Sequence, residues 1–321
     1  MVSLETGERV PFESRHLVLE RVAEGVWAAL HRDGGWAVAN AGIVDLGDRT
    51  LVLDAGLTTD AARDLDRAAR SLTGRAPDTV ALTHFHNDHA RGTEVFADVP
   101  LVASAATRAL LDTAGREELA ADRAHATERL ASTRAMVDDA ESAKRACAAT
   151  FVPYWEGLVA SAPTATVRLP DVTFDDAVAF HGTRRAARLV SYGAAHTGDD
   201  AVLLLDDDRV VFCGDLLFVA ACPYLGDGDP EGWLAALERL AATGATRFIP
   251  GHGPVGTLAD VWTLHAHLER LLTDAERLQR DGVAAEDLAR LLPDGDAATW
   301  AYAYPFHAAN LRFLVQRLAS R

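Results

Sequence analysis

Four residues within six positions carry metal-binding side chains: His84-Phe85-His86-Asn87-Asp88-His89. Imidazole nitrogen and carboxylate oxygen suit Zn²⁺, with Fe or Mn also compatible. The run before them, DTVALT, follows Pro77 and predicts a buried strand. At the end of a strand, side chains two apart point the same way, so His84 and His86 can share one metal. A turn then sets Asp88 and His89 beside them, aimed at a second. One tetrad does not complete two sites. His196 in GAAHTGDD, Asp215 closing VVFCGD and His252 in PGHG each follow an apolar run, so all three can converge on the same edge. A metal-bound water has a pKa lowered to about 7, which yields a hydroxide able to attack a carbonyl. Asp88 is the carboxylate that would orient that nucleophile or pass a proton to the leaving group.

The elements that must hold these groups are legible as alternating strands and helices. Between Val18 and Thr58, LERVAEGVWAALHR, WAVANAGIVDLG and RTLVLDAG read as short strands broken by Gly and by the turn GDR. A helix is expected from about Thr59 to Leu72, capped by Thr or Asp and ended by Gly74. Strand signals return in TVRLP, VTF, AVAFHG, ARLVSYG and AVLLLDDDRVVFCGD, where DDDR marks a hairpin turn. GWLAALERLAATG predicts a helix, RFIP a strand, and the chain from about 258 to 321 is mostly helical. Such alternation indicates an α/β or α+β fold. Residues 105–162 differ. They are Ala-rich and densely charged, with a thin apolar stripe and the aromatic patch FVPYWEGLV. They are expected to form a helical insertion or lid within one domain spanning 1–321.

The 321 residues carry 31 Lys+Arg against 47 Asp+Glu, a net charge of −16. That balance argues against nucleic acid and anionic membrane as partners and leaves a small-molecule substrate. No apolar run stands behind a basic amino terminus and none is long enough to span a bilayer, so a cytoplasmic protein is expected. Three widely spaced cysteines, Cys147, Cys213 and Cys222, form neither a disulfide framework nor a metal knuckle. No sequence feature speaks to oligomeric state.

The ordered series HxHxDH, a later His, GD and GHG, running from His84 to His252, resembles the metallo-β-lactamase fold superfamily. The resemblance implies a four-layer αβ/βα sandwich. It implies one metal on His84, His86 and His196, another on Asp88, His89 and His252, and Asp215 bridging two Zn²⁺. Asp54 in LVLDAG matches the family's acid that orients ligand histidines. The stretch AHTGDDAVLLLDDDRVVFCGDLLF…PYLGDGDPEGW is similar to bacterial members that include thioesterase/cyclase enzymes of aromatic polyketide pathways, with lactonases and glyoxalase II-like thioesterases nearby. Hydrolysis of a small-molecule ester, thioester or lactone is therefore expected. The alternatives are a β-lactamase, which the absence of an export signal disfavours, a mononuclear iron sulfur dioxygenase, and a non-catalytic binding protein on the same fold. His86 stands where the flavin-linked di-iron branch has Glu, which excludes that branch.

Rival motifs are weak. There is no GxSxG elbow, and Gly251-His-Gly-Pro-Val-Gly256 imitates a dinucleotide loop without its setting. His265 and His267 diverge on a helix, while His16, His31, His125 and His181 read as ordinary surface or core residues. Arg184, Arg185 and Arg188 read as a hairpin edge rather than an anion site. The expected pocket wall combines Phe218 and Tyr224 after the bridging acid with Tyr154 and Trp155 of the insertion and His307 near the carboxy terminus.

Overall fold

A computed structural model describes residues 7–288 and 291–320. The first six residues, part of the start read above as lacking a leader, lie outside them.

Two sheets stack face to face. The first has eight strands in chain order, β1 (Glu8–Val10), β2 (Leu17–Ala23), β3 (Val26–His31), β4 (Ala41–Asp45), β5 (Thr50–Leu53), β6 (Thr79–Ala81), β7 (Leu101–Ser104) and β8 (Val172–Phe174). It is antiparallel up to β5 and parallel from β5 to β8. The second has five, β9 (Ala177–His181), β10 (Ala186–Ser191), β11 (Ala201–Leu205), β12 (Val210–Phe218) and β13 (Arg247–His252). Only its β12–β13 pair is parallel.

Val26, Val44, Leu53 and Ala81 of the first sheet meet Leu189, Leu203, Phe212 and Ile249 of the second in a dry inner layer. Helix α1 (Thr59–Thr73) covers the outer face of the first sheet through Ala61, Ala62, Leu65, Ala68 and Ala69. That spacing is the apolar stripe of an amphipathic helix. Its ends match the sequence reading. The Thr58 hydroxyl caps it by accepting from the Ala61 N–H, and Gly74 stops it in the left-handed region at φ 74°. On the far side, α6 (Pro230–Ala241), α7 (Leu258–Arg280) and, after the single turn α8 (Ala285–Leu288), α9 (Ala303–Ala319) bury Trp233, Leu237, Leu264, Leu268 and Leu311 against the second sheet. The layers are helix, sheet, sheet, helix, the αβ/βα sandwich implied by the motif series.

Residues 105–162 are helical, as composition implied. They form α3 (Ala105–Leu110), a π-helical turn (Leu111–Gly115), α4 (Arg116–Arg134) and α5 (Ser142–Ser161), the last running through Pro153. They connect β7 to its parallel neighbour β8. TVRLP is not a strand. The Arg168 guanidinium turns back to donate to the carbonyls of Phe96 and Val99, and pairing with β7 begins only at Val172. Likewise only Ala41–Asp45 of WAVANAGIVDLG joins a sheet, because the chain bends at Val38 with φ 68°. No helix among the described residues is long and apolar enough to cross a membrane. Arg184, Arg185 and Arg188 each pair with a carboxylate, of Asp45, Asp208 and Asp206.

Candidate metal centre

The carboxyl ends of the central strands deliver all seven ligand-type side chains to one place. His84 and His86 follow β6, and Asp88 and His89 lie on the single turn α2 (Asn87–Ala90). His196 sits in the loop after β10, Asp215 within β12 and His252 at the end of β13. Their donor atoms fall into two clusters, one of His84, His86, His196 and Asp215, the other of Asp88, His89 and His252, with atoms of each within 4.8 Å of one another.

Asp215 joins the two. Its Oδ1 lies 3.0 Å from His89 Nε2, and its Oδ2 lies 3.3 Å from Nε2 of both His196 and His252. Gly251 makes this approach possible, since a Cβ there would collide with Asp215 Oδ1. Asp88 Oδ2 is 3.3 Å from His252 Nε2.

Asp54 sets the tautomers. Held by β5 in the left-handed region at φ 57°, a strained conformation for a non-glycine residue, it is almost wholly buried. Its Oδ2 accepts from His89 Nδ1 at 2.8 Å and from the Thr83 hydroxyl at 2.9 Å. With its proton given to Asp54, the Thr83 oxygen accepts from His84 Nδ1 at 3.0 Å. Both imidazoles are thereby fixed with Nε2 facing the centre, one in each cluster. Asp227 does the same for His86 from the opposite ring side, its Oδ2 3.1 Å from Nε2, which leaves Nδ1 for the centre.

The atoms fit a metal pair. Nε2 of His84 and of His89 and Oδ1 of Asp215 are buried without a hydrogen-bond partner, a condition that a cation relieves. His86 Nδ1 and His196 Nε2 face each other at 3.0 Å, close to the edge of a tetrahedron with metal–nitrogen bonds of about 2.0–2.1 Å. Burial pushes His84 well below its ordinary value and carries His196 down to about 3, so both are neutral, as ligands must be. Burial also opposes a charge on His252, yet Asp215 and Asp88 lift it to about 10. Acids that hold a proton there supply the negative charge that would hold a cation.

Above the centre lies a cavity of about 690 Å³. Tyr154 and Trp155 of α5 line it with Phe218 and Tyr224. Phe218 also stacks on His252 at 5.1 Å between ring centroids. Phe151 of α5 meets Phe306 of α9 at 6.0 Å and roofs the cavity. His307 is not among the lining residues. One position beyond Phe306 on α9, it turns toward the neighbourhood of His267 on α7, because successive helical side chains diverge by about 100°. It leaves the expected wall, and Tyr302 and Phe306 stand there instead.

Several groups at the site went unread in the sequence. His31, which has no ligand-like neighbours in the sequence, lines the cavity 6.2 Å from His252 between ring centroids. Burial and then His252 hold its imidazole below the ordinary value, so the ring is neutral. Asn40, buried after the bend at Val38, donates from Nδ2 to the carbonyls of Pro250 and Gly253, both at 2.9 Å, and so clamps the loop that carries His252. Arg91, immediately after α2, is buried with Nη1 2.8 Å from Asp122 and Nη2 3.6 Å from Glu118, both on α4. Asn87 of α2 donates to the Tyr154 hydroxyl at 3.0 Å.

Glu118 leaves a third of its side chain open on the cavity wall. Burial pushes its carboxyl from 4.5 up to about 7, against the pull of His86 and Arg91. A raised carboxyl binds its proton more tightly in the folded chain than in the unfolded one. Its stabilisation is therefore complete at low pH and lost as pH climbs from the unfolded value toward the folded one. Relative to wild type, Glu118→Gln should gain in urea midpoint between about pH 5 and about pH 8. A difference that stays flat over that range contradicts the assignment.

The family model for the metallo-beta-lactamase superfamily matches residues 34–252. A hydroxyacylglutathione hydrolase of Methylococcus capsulatus is 31% identical over 124 residues, 36% of this chain and 48% of that protein. The chain thus spans about half the length of the curated relative it matches. A metallo-beta-lactamase from Pontibacter korlensis superposes with a TM-score of 0.53 at 19% identity, covering 82% of this chain and 98% of its own. One from Erythrobacter litoralis gives 0.55 at 16%, covering 82% and 100%. At such identity the likeness is one of fold.

Proposed function

This chain belongs to the metallo-beta-lactamase superfamily, and from that premise we propose that it is a zinc-dependent hydrolase of a small-molecule ester, thioester or lactone. The observation that carries the reading is the sharing of Asp215 between two clusters of histidine and aspartate on the floor of one cavity. His84, His86 and His196 would hold one ion, and Asp88, His89 and His252 the other, with Asp215 touching both. The metal pair supplies Lewis acidity toward a carbonyl oxygen and a water ionised near neutral pH.

The remaining work falls to the side chains. Burial disfavours a charge on Asp88, but His89 and His252 overcome it and hold the carboxyl well below its usual range, a role that passes to the cation once those rings are its neutral ligands. Asp88 therefore stays ionised and accepts a hydrogen bond, which orients the attacking water toward the scissile carbon. Asp54, Thr83 and Asp227 keep three ligand rings from rotating. Phe151, Tyr154 and Trp155 exclude bulk water and pack against the apolar part of the substrate, so that α4 and α5 serve as a lid. The curated relative, whose name makes it a hydrolase acting on an acyl derivative, supports the same class of reaction.

The decisive measurement is metal content coupled to turnover on p-nitrophenyl esters, acyl thioesters, lactones and β-lactams. About two zinc ions per chain with ester, thioester or lactone cleavage is expected. One iron with oxygen consumption would replace the reading with an oxygenase. Two metals with no turnover on any of the four would redirect it to phosphodiesters or sulfate esters.

A further inference from the structure

His31 closes β3 at the rim of the cavity floor, and its hydrogen bonding determines which ring nitrogen is free. Asn40 spends both Nδ2 hydrogens on the carbonyls of Pro250 and Gly253, so the orientation of its amide is fixed. Its Oδ1 therefore faces His31, accepting from the backbone N–H at 2.9 Å and lying 3.3 Å from Nδ1. An amide oxygen only accepts, so Nδ1 carries the hydrogen. In the imidazole with its hydrogen on Nδ1, Nε2 is left as a bare acceptor, with no hydrogen-bond partner among the described residues. The ring lines the same cavity as Asp88 and His252, one side chain's width from the metal cluster.

We propose that His31 determines specificity by accepting, at Nε2, a hydrogen bond from an N–H or O–H group of the substrate near the carbonyl held at the metal pair. This rests on the hydrolase reading above and adds to it a donor-bearing, aromatic acyl group as the substrate class. The apolar part of that group lies against Phe151, Trp155 and Phe306. Once the substrate displaces water from the cavity, an acceptor left without its donor discriminates against analogues that lack one, whereas the aromatic wall tolerates them.

The test uses two stable acids that differ in one group. Hippurate carries an amide N–H between its benzoyl group and its carboxylate, and 3-benzoylpropanoate has CH₂ at that position. Their dissociation constants are measured by calorimetry on the zinc-loaded protein, so that binding is read without turnover. Wild type should prefer hippurate by about tenfold. His31→Asn keeps a donor toward Asn40 and removes Nε2. It should bind the two acids within about twofold of each other, with unchanged metal content and unchanged affinity for 3-benzoylpropanoate. His31→Gln, whose Oε1 reaches toward the Nε2 position, should restore part of the preference. Equal binding of both acids by wild type overturns the proposal, as does binding of neither or a preference that survives in His31→Asn. Failure of the hydrolase reading shows separately, as p-nitrophenyl esters of both acids left uncleaved while the binding preference persists.

Discussion

Asp215→Ala should purify with one metal or none and should lose turnover by more than the roughly 10–100-fold typical of changes to residues that merely orient a ligand. The carboxylate touches His89 on one oxygen and both His196 and His252 on the other, so no other side chain among the described residues contacts both clusters in this way. Its removal withdraws the shared negative charge and leaves His89 and His252 facing each other without it. Asp215→Asn keeps the shape and loses the charge, and should fail nearly as badly, because an amide cannot neutralise a pair of divalent cations. Metal content by mass spectrometry and turnover on the best ester of the panel read both effects. Two tightly bound ions with near-normal turnover in Asp215→Ala would end the assignment of a shared centre.

Arg91→Ala should cost about 3–5 kcal/mol of folding stability, the range for stranding one half of a buried ion pair. The guanidinium is nearly inaccessible, and so is its closest partner Asp122. Asp122 would be left in the interior, with Glu118 nearby, and no cation between α2 and α4. The damage reaches the site as well, since Arg91 directly follows the turn bearing Asp88 and His89. A double replacement separates charge from packing. Arg91→Met with Asp122→Leu removes both charges at similar volume and should recover most of the loss, or all of it. Urea midpoints of the wild type, the single and the double variant decide the matter. A single variant within about 1 kcal/mol of wild type would show that the pair holds nothing together.

What the sequence disclosed divides along chain distance. The tetrad at His84–His89 is readable because one strand end and one turn place four ligand-type side chains with no help from elsewhere, and α1 is readable because Thr58 and Gly74 punctuate it locally. His252 announces itself by closing an apolar strand and Asp215 by following an apolar run, although β12 continues beyond it to Phe218. His31 and Asn40 carry no such mark, since their meaning comes from carbonyls 210 and 213 positions away from Asn40. Arg91 and Glu118 gain their roles only when α4 is laid over α2. His307 was misplaced for the opposite reason. Its aromatic neighbours suggested a pocket, and helical rotation delivered Phe306 to the cavity while turning the next residue away. TVRLP shows that an alternating pattern becomes a strand only where a neighbouring edge is available to pair with it.

The chain leaves the first sheet at Ser104 and returns at Val172, and the two strands involved lie side by side, with Val102 opposite Val172 and Ser104 opposite Phe174. The two ends of the excursion are thus one strand spacing and two residues of rise apart, roughly 8 Å. Lengthening or shortening a connection between fixed ends costs little, because the closure penalty grows only with the logarithm of its length. The floor and the roof of this cavity are accordingly under different inheritance. The floor is fixed by seven charges and ring nitrogens that answer to one another. The roof can be rewritten by ordinary insertion and deletion, provided that a cation at Arg91 still finds its acid, so descendants of one ancestor can diverge in diet while their chemistry stays the same.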